Sequence, residues 1–359
     1  MDGGHRGVVT LVPGIIVNKL ERAVPRRPIV LAALAVSALG LAACGGGGDQ
    51  NQTLTNQADA ANCPADVLDV VVSVNQWGDI VQQLAGDCAN VTTVINSTAL
   101  DPHDYEPTTG DIAAFEDADL VVVNGADYDH WASDAVANLD PAPAVVDAAE
   151  VVGVEGGHSE EEGHSDEEAH SEEEGHSEEV HGSVNPHLWY SPEYVQETAR
   201  AITAELSQLA PDAADYFTEQ AQAFTEALQP YDEELTTLQG LATGKTYAAT
   251  ETVFDYTATA VGLTDATPEG YRDAASNESD PSPSDVAAFE AALADGSIDV
   301  LVYNTQTEGS VPEQLRAAAE SAGVPVVDVT ESVPDGDDSF VAWQLGQLQQ
   351  LADALGGGQ

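Results

Sequence analysis

Val67-Leu68-Asp69-Val70-Val71-Val72-Ser73-Val74 is an apolar, valine-rich run interrupted only by Asp69 and Ser73. A strand with one face in water alternates apolar and polar residues, whereas a strand covered on both faces does not. The run therefore predicts a buried strand of a parallel sheet. Its surroundings agree: helical spacing over 79–84, a second apolar run over 91–95, a helix capped by Thr108 or Thr109 and running through Phe115, and a third strand over 119–123 ending at Asn124-Gly125. This alternation of strand and helix is the grammar of an α/β lobe, in which ligands gather at the carboxyl ends of the strands. The polar, proline-bounded loop from Asp101 to Pro107 follows a strand and falls at that end.

From Ser191 onward the pattern becomes long and helical. Tyr194, Thr198, Ile202, Leu206 and Leu209 share one face, and Pro192 suits a first helical turn. A further helical stretch from Pro211 to about Leu241 exceeds the usual length of a globular helix and reads as a spine between lobes. The alternation then resumes, with strands over 245–250, 298–303 and 324–329, helices over 254–261, 285–293, 311–322 and 339–355, and a long loop over 262–284. The expected fold class is α/β: two α/β lobes, each a mainly parallel sheet flanked by helices, joined by a long spine helix. The corresponding boundaries are a lipoprotein-type signal peptide over 1–43, a flexible tether over 44–62, an N-terminal lobe over 63–210, a linking helix over 211–241 and a C-terminal lobe over 242–359.

Arg26-Arg27, the apolar run from Ile29 to Ala43 and the small residues at its end read as an export signal, too short to span a bilayer comfortably. Leu41-Ala42-Ala43-Cys44 resembles a bacterial lipobox, which predicts lipidation of Cys44 and a chain held at the extracytoplasmic face of the cell membrane by its lipid alone. In an exported protein the two remaining cysteines, Cys63 and Cys88, most economically form one disulfide. The 359 residues include 63 Asp and Glu against 9 Lys and Arg, a formal charge of −54. After Cys44 only Arg200, Lys245, Arg272 and Arg316 are basic, which excludes binding nucleic acid through phosphate neutralisation. So many carboxylates attract cations. Adaptation to high salt accounts equally well for the charge outside the histidine-rich tract.

That tract interrupts the N-terminal lobe over 155–184. Gly157-His158-Ser159-Glu160-Glu161-Glu162 is followed by Gly163-His164-Ser165-Asp166-Glu167-Glu168, His170 and His176 continue the six-residue step, and the pattern breaks after His181. A run of Glu, Ser, Gly and His buries too little apolar surface to fold, so it is expected to be disordered. Its bland reading is a solvated acidic spacer. Regularly repeated imidazoles instead favour a low-affinity collector of divalent metal beside a tighter site. Two further histidines share one frame, Asp101-Pro102-His103 and Asn185-Pro186-His187, in which the proline stiffens the backbone and the polar residue two places earlier can support the loop.

Asp101-Pro102-His103-Asp104-Tyr105-Glu106-Pro107-Thr108 resembles the first metal-ligand loop of the cluster A-I (zinc/manganese) substrate-binding proteins of ABC transporters, and Asn185-Pro186-His187-Leu188-Trp189 resembles the second. The resemblance extends over roughly residues 65 to 355. It implies a third ligand at Glu251, within Ala249-Thr250-Glu251-Thr252-Val253-Phe254-Asp255-Tyr256, and a fourth at Glu331, within Val327-Asp328-Val329-Thr330-Glu331-Ser332, where the family more often has Asp; Asp328 is the alternative. The implied site holds a divalent transition metal in the interlobe cleft by two imidazoles from one lobe and two carboxylates from the other. The implied protein is no enzyme but a monomeric binding component that delivers the metal to an ABC permease driven by a separate ATPase, and this chain shows no phosphate loop of the Lys-Ser/Thr type. Four protein ligands close the coordination sphere, which separates holding a metal from activating water on it. In the family a histidine-rich tract accompanies zinc and a third-position Glu accompanies manganese. The sequence carries both signals, and imidazole density favours Zn2+ with Mn2+ as the alternative. Two readings of another class are a surface adhesin, to which this fold has been linked, and a secreted metallohydrolase, for which no His-Glu-x-x-His is present. His130 reads as a helix-face residue, Trp189 and Tyr190 as loop packing, and Tyr303-Asn304-Thr305-Gln306 as hydrogen-bonding support for the cleft.

Overall fold

The computed structural model describes residues 53–100, 105–154, 184–277, 279–307, 309–334 and 339–356. The signal segment, Cys44, His103 and the tract histidines His158, His164, His170, His176 and His181 lie outside the described residues. The N-terminal lobe runs β1 (Leu54–Asn56), β2 (Leu68–Val74), α1 (Asn75–Ala85), β3 (Ala89–Ile95), α2 (Thr109–Glu116), β4 (Leu120–Val123), α3 (His130–Ala137), β5 (Ala144–Asp147) and α4 (Ala148–Val152). Its sheet has the order β1-β3-β2-β4-β5, parallel throughout except for β1. In β2, the central strand, every residue but Asp69 is buried. Helices α5 (Pro192–Leu209), α6 (Ala214–Ala227) and α7 (Gln229–Leu241) follow. The C-terminal lobe comprises β6 (Thr246–Ala249), α8 (Asp255–Val261), β7 (Thr264–Asp265), α9 (Glu269–Ser276), α10 (Pro283–Asp295), β8 (Val300–Asn304), α11 (Ser310–Ala322), β9 (Val326–Val329) and α12 (Phe340–Ala354), with a parallel sheet ordered β7-β6-β8-β9.

Three segments differ from expectation for identifiable reasons. Leu54–Asn56, read as part of a flexible tether, pairs antiparallel with β3, and the Thr55 and Thr92 hydroxyls lie 3.0 Å apart. The strand is short and exists because it pairs the open edge of β3. The stretch 262–284, read as one long loop, contains β7 and α9. Gly270 obscures the helical signal there; a Cβ at that position would press on the Asp285 carboxylate, which would have to shift. Tyr271, next to it, is buried edge-on against Phe289 at 4.9 Å between ring centres. The spine over 211–241 is articulated at Leu228, where α6 ends and α7 begins. Pro230 has no N–H to offer the carbonyl four residues earlier, so the helical ladder is interrupted once.

A continuous core passes from one lobe to the other. Tyr190, fully buried, packs edge-on against Phe254 at 5.7 Å and Trp343 at 5.9 Å, joining the loop before α5 to the turn that leads into α8 and to α12. Cys63 and Cys88 form a disulfide across a sequence separation of 25. Closing a loop of that length removes roughly 3.5 kcal/mol of chain entropy from the unfolded state. The Cys63→Ala/Cys88→Ala double variant should therefore lose about that much unfolding free energy, with a denaturant slope equal to or steeper than the parent's because its unfolded chain is less constrained, and adding reductant should no longer shift its midpoint.

Candidate metal centre

Glu251 and Glu331 follow strands at the carboxyl ends of a parallel sheet, and His187 is held beside the end of β4. His187 lies in a loop pinned at both sides. Downstream, a 3-10 turn over Leu188–Tyr190 buries all three side chains, and Ser191 caps α5 by accepting from the Tyr194 N–H at 3.3 Å. Upstream, Asn124, at the end of β4, donates from Nδ2 to the Pro186 carbonyl at 2.9 Å and accepts from Trp77 Nε1 at 3.0 Å. The polar residue two before the histidine does support it. Asn185 Oδ1 accepts the His187 N–H at 3.0 Å and stands 2.8 Å from His187 Nδ1. Asn185 Nδ2 donates to the Thr252 carbonyl at 2.8 Å, which orients the amide and leaves an acceptor facing Nδ1. Nδ1 therefore carries the hydrogen and Nε2 presents the lone pair, the tautomer a metal ligand needs. That nitrogen stands 3.8 Å from Glu331 Oε2. Two ligands each about 2.1 Å from one ion are roughly 3–4 Å apart, so this spacing suits a shared cation.

The loop bearing Asn124 depends on a buried acid. Asp129 accepts from the N–H groups of Asn124 at 2.7 Å and Gly125 at 2.9 Å, and desolvation pushes its carboxyl up to about 6 against those bonds. The chain turns through three left-handed residues here, Gly125, Ala126 and Asp127, at φ of 72°, 53° and 65°. Asp129→Ala would orphan two buried N–H groups at about 1–3 kcal/mol each. We expect a loss of roughly 2–4 kcal/mol in denaturant unfolding, well above the effect of a surface Asp→Ala change.

Glu251 follows β6 by two residues, and Glu331 follows β9 by two. Asn304, the last residue of β8, reaches both: its Nδ2 donates to Glu251 Oε2 at 2.5 Å and to Glu331 Oε1 at 2.7 Å. The Thr307 hydroxyl donates to Glu251 Oε1, and the Tyr128 hydroxyl donates to Glu331 Oε2 at 3.3 Å. Burial, and next the charge of Glu331, raises the Glu251 carboxyl well above the ordinary carboxylate range. Two carboxylates, one buried and one half-buried, and an imidazole form a donor set that a divalent cation would relieve.

Glu331 is also anchored from the opposite lobe. Gln76 Nε2 donates to its carbonyl at 2.7 Å, and Asn75 exchanges two hydrogen bonds with the Val333 backbone at 3.0 and 3.1 Å. Asp79 accepts the Phe340 N–H at 2.8 Å, so the first turns of α1 hold the segment leading from β9 to α12.

His187, Glu251 and Glu331 thus line one cleft of about 650 Å3, walled on the C-terminal side by Tyr271, Ser279 and Pro312. Among the described residues no three His, Cys, Asp or Glu side chains converge closely enough to hold a metal by themselves. Asp328 is not in the cleft; Arg316 grips it through Nη1 at 2.6 Å and Nη2 at 3.2 Å. His130 is exposed at the start of α3, and Trp189 and Tyr190 are wholly buried. Tyr128 and Gln76 went unrecognised in the sequence, since their partners lie 203 and 255 residues away. The one available signal for Gln76 was its place just past the end of a buried strand.

Residues 70–354 match the profile of the family described as zinc-uptake complex component A, periplasmic. The high-affinity zinc uptake system protein ZnuA of Bacillus subtilis is 28% identical over 316 residues, spanning 88% of this chain and 92% of that protein. The manganese ABC transporter substrate-binding lipoprotein PsaA of Streptococcus pneumoniae is 23% identical over 343 residues, spanning 91% and 97%. Among solved structures, the laminin binding protein Lmb of Streptococcus agalactiae, described as having adhesin and metal transporting activity, superposes with a TM-score of 0.61 at 24% identity, covering 80% of this chain and 99% of that one. At that identity the likeness shows a shared fold. Among the described residues no helix is long and apolar enough to cross a membrane.

Proposed function

The chain belongs to the family of periplasmic component A of zinc-uptake complexes, whose members are solute-binding proteins rather than enzymes, and on that footing we propose that it captures Zn2+ outside the cytoplasm and delivers it to an ABC permease. His103, His187, Glu251 and Glu331 would hold the ion, with Cys44 carrying the lipid that tethers the protein. The observation that supports this reading is that His187, Glu251 and Glu331 line one cleft, with the imidazole tautomer set by Asn185 and both carboxylates bridged by Asn304. The donor set is the cargo site itself: nothing in it would need to polarise a substrate or activate water. His158, His164, His170, His176 and His181 would act as a collector of lower affinity.

Competitive titration with Zn2+ and Mn2+, with and without residues 156–181, tests the reading. One tight Zn2+ site that survives the deletion, with weaker sites lost, is the expected result. Tight Mn2+ binding held against zinc would move the cargo to manganese. Loss of every tight site with the tract would remove the cleft as the binding site.

A further inference from the structure

We propose that Asn304 determines which metal the cleft prefers, by limiting Glu251 and Glu331 to one coordinating oxygen each. This rests on the reading of those two carboxylates as ligands. Asn304 is only 2% exposed; its backbone N–H donates to Thr250 Oγ1 at 3.1 Å, and its side-chain amide is fixed at both ends, Oδ1 accepting from the Gln306 N–H at 3.0 Å and Nδ2 serving Glu251 Oε2 and Glu331 Oε1. The bond to Gln306 settles which way the amide points, so the carboxylates face hydrogens and not the amide oxygen.

The remaining oxygens are held differently. Glu251 Oε1 accepts from the Thr307 hydroxyl, and Glu331 Oε2 accepts from the Tyr128 hydroxyl while facing His187 Nε2. A hydroxyl hydrogen rotates about its C–O bond and gives way to a cation at little cost. An amide locked at its nitrogen and its oxygen cannot. The oxygens bonded to hydroxyls are therefore the ones released to a metal, and the oxygens bonded to the amide stay engaged.

One oxygen from each carboxylate gives two oxygen donors where bidentate binding would give four. Keeping that number low suits Zn2+, which is four-coordinate in closed protein sites. Mn2+ prefers about six ligands, largely oxygen, and would gain from carboxylates that bind through both oxygens. Holding back one oxygen from each acid thus disfavours manganese more than zinc. Partners that orient ligands in this way commonly change affinity by roughly 10–100-fold.

The test compares the full chain with Asn304→Ser and Asn304→Leu in competitive Zn2+ and Mn2+ titrations, alongside the visible spectrum of the Co2+ form. Co2+ gives intense bands when four-coordinate and weak ones at higher coordination. The expected result is a fall of about 10–100-fold in the zinc-to-manganese affinity ratio and a loss of Co2+ band intensity in either variant that retains a cooperative thermal transition. An unchanged ratio with unchanged bands overturns the proposal, as does an equal loss for both metals, which would mark Asn304 as merely structural. Glu251→Ala serves as the control: if it leaves both affinities intact, the ligand assignment itself fails, and the ratio in the Asn304 variants has no bearing on it.

Discussion

His187→Ala, Glu251→Ala and Glu331→Ala should each weaken zinc binding by about two orders of magnitude, while Asp328→Asn should leave it unchanged. Structural zinc sites are worth about 10–16 kcal/mol over four ligands, so one ligand contributes about 3 kcal/mol, or roughly 100-fold. A ligand that binds only the folded state stabilises it by RT ln(1 + [L]/Kd), and a 100-fold weaker Kd removes about 2.7 kcal/mol of that. At about 2–4 °C per kcal/mol, the rise in unfolding temperature on adding zinc should shrink by roughly 5–10 °C in the ligand variants. The metal-free proteins should behave differently. Glu331→Gln removes the charge that, after burial, contributes most to raising the Glu251 carboxyl, so its metal-free unfolding temperature should equal or exceed that of the parent. A variant more stable when empty and less stabilised by zinc would identify Glu331 as a group kept for its cargo. Retention of the full zinc-induced shift in Glu331→Ala, with its loss in Asp328→Asn, would transfer the fourth ligand to Asp328 despite its bidentate pair with Arg316.

The contrast between Glu331 and Asp328 shows what the sequence can and cannot reveal. Unbroken valine runs announce a doubly covered strand, and β2 occupies Leu68–Val74, within the run that predicted it. Helix caps are as local: Thr108 caps α2 through a reciprocal box with Asp111, and Ser191 caps α5. These are local signals, readable within a few residues. Choosing between two acids three residues apart is not local, because it depends on which one meets Arg316 on α11 and which one meets Asn304 on β8. The same holds for β1, which owes its existence to the unpaired edge of β3, and for Tyr128, whose hydroxyl finds Glu331 only once the lobes face each other. Asn304 stands between these cases: its position after a strand pointed to the cleft, but not to the bridging of two carboxylates.

Raising NaCl from 10 mM to 1 M should lift the unfolding temperature at neutral pH by roughly 5–10 °C, because the Debye length falls from about 30 Å to about 3 Å and carboxylate self-repulsion is screened. The formal charge of −54 sets the scale, and the cations beyond Cys44 offer little relief. Lys245 is paired with Asp299 at 2.8 Å, Arg272 with Asp265 at 3.1 Å, and Arg316 with Asp328 at 2.6 Å, while Arg200 stands 3.8 Å from Glu197 on an exposed helix face. A second contribution has the same sign in pH but a different origin. Asp129 is raised from 3.8 to about 6 by desolvation, so below 3.8 both states are protonated, and its contribution to stability is lost as pH rises toward and through 6. A shift of that size corresponds to about 3 kcal/mol, and the same direction holds for Asp79, also raised mainly by burial. Salt in solution screens exposed charges and leaves buried ones almost untouched. Unfolding followed from pH 4 to 7 should therefore decline steeply with rising pH at 10 mM NaCl and more shallowly at 1 M, with the residual slope between pH 4 and 6 belonging to the buried acids. The same slope at both salt concentrations would mean that the acidic surface carries no folding penalty, and an adaptation to high salt would lose its physical basis.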